Sequence, residues 1–452
     1  MKPIQVGLLG AGVVGSGTFA VLSRNQKEIS SRAGRGIAIT MVADLDLSKT
    51  KAFASAGVEV VTDARLVIQN PNIDIVIELI GGSGIAKTLV LEAIAHGKHV
   101  VTANKALLAL HGTEIFAAAS AKGVMVAFEA AVAGGIPIIK SLREGLTANR
   151  IDWIAGIING TTNFILSEMR DKGLNFSEVL KEAQRLGYAE ADPTFDIEGV
   201  DAAHKITLMS AIAFGIPVQF DKAYIEGIAD LSSSDIHYAE QLGYRIKLLG
   251  ITKRRQGTTL IGGFDGIELR VHPCLVPSKR LIANVEGAMN AVMVQADAVG
   301  TTLYYGKGAG SEPTASAVIA DLVDVTRLHT ADSLQRVPHL AFQPNAMSDI
   351  HILPMEEIIT SYYLRLRVAD ETGVLAKVTG ILAGSDIGID AVLQREAADV
   401  ADETEVNLIA QTDLIILTHD CMEARMNEAL HLMQELPTVL QPIIRIRKEE
   451  LV

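Results

Sequence analysis

The chain has only two cysteines, Cys274 and Cys421, in 452 residues. They lie too far apart to match a zinc or redox spacing, so they read as ordinary thiols of a reducing compartment. A basic excess is missing too. Lysine and arginine total 40 against 53 aspartates and glutamates, a formal net charge of −13. With no basic face to neutralise phosphates, nucleic acid is excluded as a partner, and the acidity serves solubility. Apolar runs stay far short of the roughly 20 residues a membrane span needs. The N-terminus enters a strand directly, without a basic segment and cleavage site, so no signal peptide is expected. The sequence shows no internal repeat and no low-complexity tail. Together these absences predict a soluble, cytoplasmic chain.

Core-forming material is plentiful, with 49% of residues apolar. The length exceeds what one core serves and points to two or three domains of roughly 100–200 residues each. In the first part of the chain, unalternating apolar runs at 4–9, 37–43, 73–79, 99–102 and 125–128 predict buried parallel strands. Helical stretches such as 87–95 and 113–121 lie between them, the repetition of a doubly wound sheet. From about 135 to 300 the texture becomes mixed α+β. Helical stretches at 138–146, 163–170, 176–186 and 199–213 alternate with strands at 150–158, 245–252, 267–272 and 290–295. Such a sheet leaves one face free for a partner. A helix at 311–328 follows the glycine-rich run 306–310 and is placed to return to the first domain. Three prolines between 331 and 355 mark a linker. After it, strands at 362–368, 389–394, 413–418 and 439–447 and helices at 374–385 and 423–435 predict a ferredoxin-like βαββαβ unit.

Gly10-Ala11-Gly12-Val13-Val14-Gly15 follows the first strand and opens a helix, where a dinucleotide-binding fold needs it. One glycine permits the tight turn, one admits the pyrophosphate to backbone amides, and one lets helix and strand pack closely. The second strand ends at Asp44, an acidic residue suited to the adenosine ribose hydroxyls. The spacing is longer than the usual roughly 20 residues, the excess falling in the loop 30–36, and a plain turn residue is the alternative. Lys49 is close enough in sequence to reach a phosphate, so NAD and NADP both stay open. Gly81, Thr102 and Lys105 follow the third and fourth strands at their carboxyl ends, the ligand edge of such sheets.

The richest stretch runs from 183 to 205. Asp201 and Lys205 are four apart and share a helix face, while Glu190, Asp192 and Asp196 precede that helix in a loop held by Pro193 and Gly199. Such a group can hold an ammonium and deliver a proton; an exposed ion pair is the other reading. Ala183, Gly187, Tyr188, Asp192, Pro193, Asp196, Ile197, Gly199, Asp201 and Lys205 carry a signature by which the chain resembles the homoserine dehydrogenase family. Stretches 97–105, 128–137, 158–163, 306–310 and 313–317 resemble it as well.

The resemblance implies NAD- or NADP-dependent interconversion of aspartate 4-semialdehyde and homoserine, on the route to threonine, methionine and isoleucine. It implies that Lys205 delivers the proton and that Lys105 lies beside nicotinamide and substrate. Glu190, Asp196, Asp201, Gly160, Thr161 and Tyr188 are then the substrate residues. The cofactor residues are Gly10 to Gly15 with Asp44, Gly81, Thr102, Lys105 and Gly308. A monovalent cation, usually sodium, is implied at Glu129 and the carbonyls of Val132, Gly134 and Ile136. Leu45 stands where many members carry an arginine for the NADP phosphate, which favours NAD or dual use. The opening of the last unit resembles an ACT domain, with threonine as the implied effector near Asp370, Gly373 and Leu375, or a dimerisation module without ligand. The expected divisions are a Rossmann domain at 1–132 completed by about 305–330, a substrate and dimerisation domain at 133–304, a linker at 331–358 and an ACT domain at 359–452, in a homodimer or homotetramer. A related semialdehyde or amino-acid dehydrogenase, and an inert amino-acid sensor, are the competing readings.

Overall fold

The structure, a computed structural model, describes residues 2–256, 265–394 and 410–451. Six strands open the chain: β1 (Ile4–Leu9), β2 (Ile37–Ala43), β3 (Glu59–Val61), β4 (Ile75–Glu78), β5 (His99–Thr102) and β6 (Val126–Ala127). They pair in parallel in the order β3-β2-β1-β4-β5-β6. The order reverses between β1 and β4, which opens a crevice at their carboxyl ends. Helices lie on both faces, so the strands are mostly apolar, Glu78, His99 and Thr102 being buried exceptions. The helix Ser311–Leu328 returns to this sheet, where Ala315, Val318 and Leu322 share a core with Ile4, Val6 and Leu8.

The middle of the chain supplies β7 (Ile151–Ile157), β8 (Tyr224–Ile225), β9 (Tyr244–Arg255), β10 (Gly266–Pro277), β11 (Met289–Ala296) and β12 (Gly300–Lys307). The C-terminal part adds β13 (Ile359–Ala369), β14 (Ile389–Gln394), β15 (Gln411–Thr418), β16 (Cys421–Met422) and β17 (Ile444–Lys448). These form one mixed sheet in the order β12-β11-β7-β9-β10-β17-β13-β15-β14. The last four are ordered as a split βαβ unit. Helices Val374–Gly384 and Glu423–Gln434 cover one of its faces through Val378, Leu382, Met426 and Met433.

The final unit is therefore no separate body. β17 pairs in parallel with β10, Cys274 opposite Arg447, and satisfies the backbone groups of an edge that would otherwise stand open. The second face of the unit meets the helix Ser233–Gln241, where Arg365 Nε donates to Asp235 at 2.6 Å and Tyr238 Oη to Asp413 at 3.0 Å. The proline-rich connection is tied down as well: Val126 N–H donates to His339 Nε2 at 3.1 Å, and Ser348 N–H to the Gly215 carbonyl at 2.6 Å. Where the sequence predicts one helix over 138–146, the chain makes a short α-turn, Ile138–Lys140, and then a π-turn, Ser141–Gly145. No helix among the described residues is long and apolar enough to cross a membrane.

Candidate active site

The crevice is built from the glycine loop upward. Gly10 has φ +97°, and a Cβ there would stand 2.7 Å from the Leu79 carbonyl oxygen; a Cβ on Gly15 would meet the Gly10 oxygen at 2.1 Å. Around Gly12 a Cβ would meet nothing within 4 Å, so the loop stays open where a pyrophosphate needs backbone amides. Asp44 closes the loop from the end of β2: Oδ2 accepts from Ala11 N–H at 2.7 Å and Oδ1 from Asp46 N–H at 2.8 Å. Leu45 beside it is 89% exposed.

Glu78, at the end of β4, is fully buried. It accepts from the N–H groups of Ile80 and Gly81 and from the Thr102 hydroxyl, at 2.9, 3.2 and 2.7 Å. One carboxylate thus fixes both the Gly81 loop and the end of β5. Asn104 then caps the helix Lys105–Lys122, accepting from Leu107 N–H at 3.0 Å while its amide donates to the Gly82 carbonyl at 2.6 Å. This cap brings Lys105 to the crevice as the first residue of its helix.

Opposite stands the helix Val200–Phe214, which Gly199 starts in a left-handed turn with φ +83°. Lys205 Nζ donates to Asp201 Oδ2 at 2.6 Å and to the Ile158 carbonyl at 2.7 Å. Lys105 Nζ lies 3.2 Å from Asp201 Oδ1. Asp201 therefore stands between two lysines, one from each of the helices Lys105–Lys122 and Val200–Phe214. Asn159 caps the helix Gly160–Lys172 through Thr162 N–H, and its amide reaches both Asp196 (2.7 Å) and Asp201 (2.9 Å). The Thr161 hydroxyl lies 3.1 Å from Asp196 Oδ2 and 2.7 Å from the Tyr188 carbonyl. Gly160 has no room for a side chain, since a Cβ would meet the Ala288 oxygen at 2.8 Å.

Electrostatics follow from this packing. Burial opposes the Asp201 charge, yet Lys205 and then Lys105 hold its carboxyl well below the usual carboxylate range. Burial pulls the Lys205 pKa down, against the pull of Asp201 and with the help of Lys105. Burial raises the Asp196 pKa. His204, between the rings of Phe195 and Phe220 at 5.4 and 4.4 Å, is brought down to about 4 by burial and is neutral at pH 7.

The sequence-predicted residues do not all meet. Lys105, Asp201, Lys205, Asp196 and Thr161 form one cluster, and Tyr188 joins it through its carbonyl. Glu190 lies on an exposed stretch, its carbonyl 3.0 Å from the Gln184 amide. Glu129 Oε1 and Oε2 accept from Ile139 and Lys140 N–H at 2.9 and 2.8 Å, and burial pushes its carboxyl up to about 7. Gly134 packs on Gly308, which packs on Asn290, a buried amide with neither polar atom partnered among the described groups. Asp370 and Gly373 lie in the turn before the helix Val374–Gly384, where Leu375 is 40% exposed. Sequence reasoning missed Glu78, Asn104, Asn159 and His204. For Glu78 a signal existed: a charge inside an apolar strand run must have partners.

Residues 137–323 match the family model for homoserine dehydrogenase, and residues 10–129 match the model for the homoserine dehydrogenase NAD binding domain. A homoserine dehydrogenase of Pseudomonas aeruginosa is 58% identical over 452 residues, all of both chains. One of Neisseria gonorrhoeae is 56% identical over 451 residues, again 100% of both. The crystal structure of a homoserine dehydrogenase from Thiobacillus denitrificans superposes with TM-score 0.92 at 62% identity, covering 100% of this chain and 99% of that one. That of the S. aureus homoserine dehydrogenase superposes with TM-score 0.74 at 30% identity, covering 99% of each.

Proposed function

The chain belongs to the homoserine dehydrogenase family of NAD(P)-dependent oxidoreductases, and from that premise we propose the roles of its residues. Bound NAD(P) supplies the hydride acceptor or donor. Residues 10–15, Asp44, Gly81, Thr102 and Gly308 hold it, and the open space around Gly12 supports this. Lys205 handles the proton. An ammonium has three donors; Asp201 and the Ile158 carbonyl take two, which leaves one for the substrate oxygen. In reduction, Lys205 gives its proton to the carbonyl oxygen as negative charge builds there. In oxidation, neutral Lys205 takes the hydroxyl proton of homoserine, and its lowered pKa brings that form within reach. Lys105 adds a second positive charge beside the same oxygen. Asp201 orients both lysines, and Asn159 orients Asp201 and Asp196.

Glu190 and Asp196 receive the substrate's amino group, with Thr161, Gly160 and Tyr188 shaping the remainder. A monovalent cation at Glu129 and the carbonyls of Val132, Gly134 and Ile136 suits a buried carboxylate that burial leaves short of positive charge. Leu45 beside Asp44 supports NAD or dual use over strict NADP use. The divisions at 1–132 with 305–330, 133–304, 331–358 and 359–452 are assigned from the six-stranded parallel sheet and from the central and C-terminal parts of the mixed sheet. The last is assigned as an ACT domain binding threonine near Asp370, Gly373 and Leu375, supported by its split βαβ order. A homodimer or homotetramer is supported by the exposed apolar Val299 and Tyr305 at β12 and Leu281 in the turn Leu281–Asn284. The two buried free thiols suit a cytoplasmic setting, and the product feeds threonine, methionine and isoleucine synthesis.

The observation that carries the mechanism is Asp201 held between Lys105 and Lys205. Homoserine-dependent reduction of NAD and NADP, followed in parallel at 340 nm with a Lys205→Ala control, tests it. Turnover in the parent and its loss in the control support the assignment; a fully active control removes it.

A further inference from the structure

Arg447 stands on β17 of the C-terminal unit and is fully buried. Its Nη1 donates to Glu226 Oε2 at 2.7 Å, its Nε to Glu423 at 2.9 Å and its Nη2 to Tyr224 Oη at 3.1 Å. Tyr224 Oη donates in turn to Glu226 Oε2 at 2.7 Å. Tyr224–Ile225 is the short strand β8 on β10, and Glu226 N–H donates to the Val271 carbonyl at 2.8 Å. Residues 224–228 are thus a strap fixed to the central sheet by its backbone and to the C-terminal unit by Glu226.

The far side of this strap presses on the substrate loop. Ile228 N–H donates to the Ile197 carbonyl at 2.9 Å. Gly227 sits so close that a Cβ would lie 2.5 Å from the Ile197 oxygen and 2.7 Å from Glu198 Cα. A Cβ on Gly199 would meet Ile225 at 3.3 Å and the Glu226 carbonyl oxygen at 3.4 Å. Ile197 directly follows Asp196, and Gly199 starts the helix that carries Asp201 and Lys205. From the Arg447 guanidinium to the substrate cluster the path consists of ion pairs, backbone hydrogen bonds and glycine contacts with no slack.

We propose that Arg447 and Glu226 are positioning residues of the dehydrogenase site, through which the C-terminal unit sets the loop bearing Asp196 and the start of the Asp201–Lys205 helix. The C-terminal unit is then part of the catalytic architecture rather than a detachable tail. The proposal rests on the assignment of Asp196 to the substrate. The contacts described for the strap lie on the substrate loop, β10 and the C-terminal unit, away from Gly10–Gly15, Glu78 and Asn104. Homoserine and cofactor therefore respond differently to its loss.

The test uses Glu226→Gln, which keeps the shape and removes the charge, and Arg447→Met, in the full chain. Met426→Ala, a cavity in the C-terminal core that leaves Arg447, Glu423 and Glu226 in place, is the control for mere destabilisation. Kinetics are measured with homoserine varied at saturating cofactor, and NADPH binding is measured by fluorescence titration. The expected result is a fall of about tenfold or more in kcat/KM for homoserine in both strap variants, carried mainly by KM, since displacements of an ångström cost rates of that order. NADPH affinity stays within about twofold, Arg447→Lys recovers part of the loss, and Met426→Ala lowers Tm without moving KM. Strap variants with unchanged kcat/KM, or with the same pattern as Met426→Ala, overturn the proposal. Should Arg447→Met fail to fold, Glu226→Gln decides alone, because Glu226 keeps partial exposure. Parent protein inactive on homoserine overturns the substrate assignment and this proposal together; active parent with insensitive variants overturns this proposal only.

Discussion

Replacing Lys205 by alanine removes the ammonium that lies 2.6 Å from Asp201 and 2.7 Å from the Ile158 carbonyl. Positioned proton transfer is worth about 10²–10⁴-fold in rate, which is about 3–5 kcal/mol of barrier. Lys105 remains 3.2 Å from Asp201 and, in the role proposed for it, would still offer positive charge to the substrate oxygen. The loss in kcat/KM is therefore expected in the lower half of that range, about 10²–10³-fold. Breaking a buried ion pair commonly costs about 3–5 kcal/mol. Here Asp201 keeps Lys105 and the Asn159 amide, so a loss of about 2–3 kcal/mol is expected in denaturant unfolding.

The pH profile makes this a sharper test than the rate alone. Burial lowers the Lys205 pKa below its ordinary value of 10.5. Oxidation needs the neutral amine as proton acceptor, so kcat/KM for homoserine rises with pH as Lys205 loses its proton. Reduction needs the ammonium and falls over the same window. The folded state binds fewer protons at Lys205 than the unfolded chain, so this group makes stability rise as pH climbs toward 10.5. All three trends vanish in Lys205→Ala. The assay is the 340 nm rate in both directions from pH 6 to 10, with unfolding measured alongside. A variant that keeps kcat/KM within about fivefold, or retains the rising oxidation limb, refutes the role given to Lys205.

Leu45→Arg places a guanidinium on a side chain that is 89% exposed. A single charge-assisted contact, about 1.5–3 kcal/mol, should raise the NADP to NAD ratio of kcat/KM about tenfold or more, read from parallel assays. Glu129 is pushed up to about 7 from 4.5, so the folded state holds more protons in that window and stability falls as pH rises through it, by about 3 kcal/mol in all. Sodium should restore more stability at pH 8 than at pH 5, and Glu129→Gln should abolish both effects; superposable melts in sodium and choline chloride count against the cation. Glu78→Gln turns one acceptor toward the donors Ile80, Gly81 and Thr102 into a donor. At about 1–3 kcal/mol it should raise the cofactor KM about tenfold while that for homoserine holds, as steady-state kinetics would show.

The parts of the fold that were legible are those whose signal is local. β1, β2 and β5 declared themselves because strands covered on both faces are apolar without alternation. The helix Ser311–Leu328 did so through its alanine and valine content after the glycine-rich run 306–310. β3 has three residues, too few to rise above the surrounding chain, and β12 alternates between half-buried and exposed positions without a clean apolar face. The join of β10 to β17 depends on residues about 170 positions apart in sequence, which no window can contain. The site divides in the same way. Gly10–Gly15 and the Asp201–Lys205 pair are short motifs and were read. Asn159 is one polar residue at a strand end, and it matters only because folding brings Asp196 and Asp201 to its amide. Arg447 and Glu226 carry no motif at all.

That division explains why the two lysines had to be found separately. Lys105 opens the helix Lys105–Lys122 after the parallel strand β5 and Lys205 lies on the helix Val200–Phe214, and the proposed chemistry uses both origins. On the proposed mechanism the residues of the first sheet would hold the cofactor, which would supply the hydride chemistry from that side. The proton, on the same proposal, would come from Lys205 on the helix Val200–Phe214. Lys105 crosses the seam, where its charge lowers the pKa of Lys205 and Asp201 holds both. The proton donor's strength is consequently a property of the docked domains, not of either one. A substitution that loosens the seam, such as a bulky residue at Gly112, where even a Cβ would stand 3.4 Å from Val218, weakens the pull of Lys105 and raises the Lys205 pKa without touching it. Its signature is an oxidation limb displaced to higher pH, where a plain loss of folded enzyme would lower the whole profile and leave its midpoint in place.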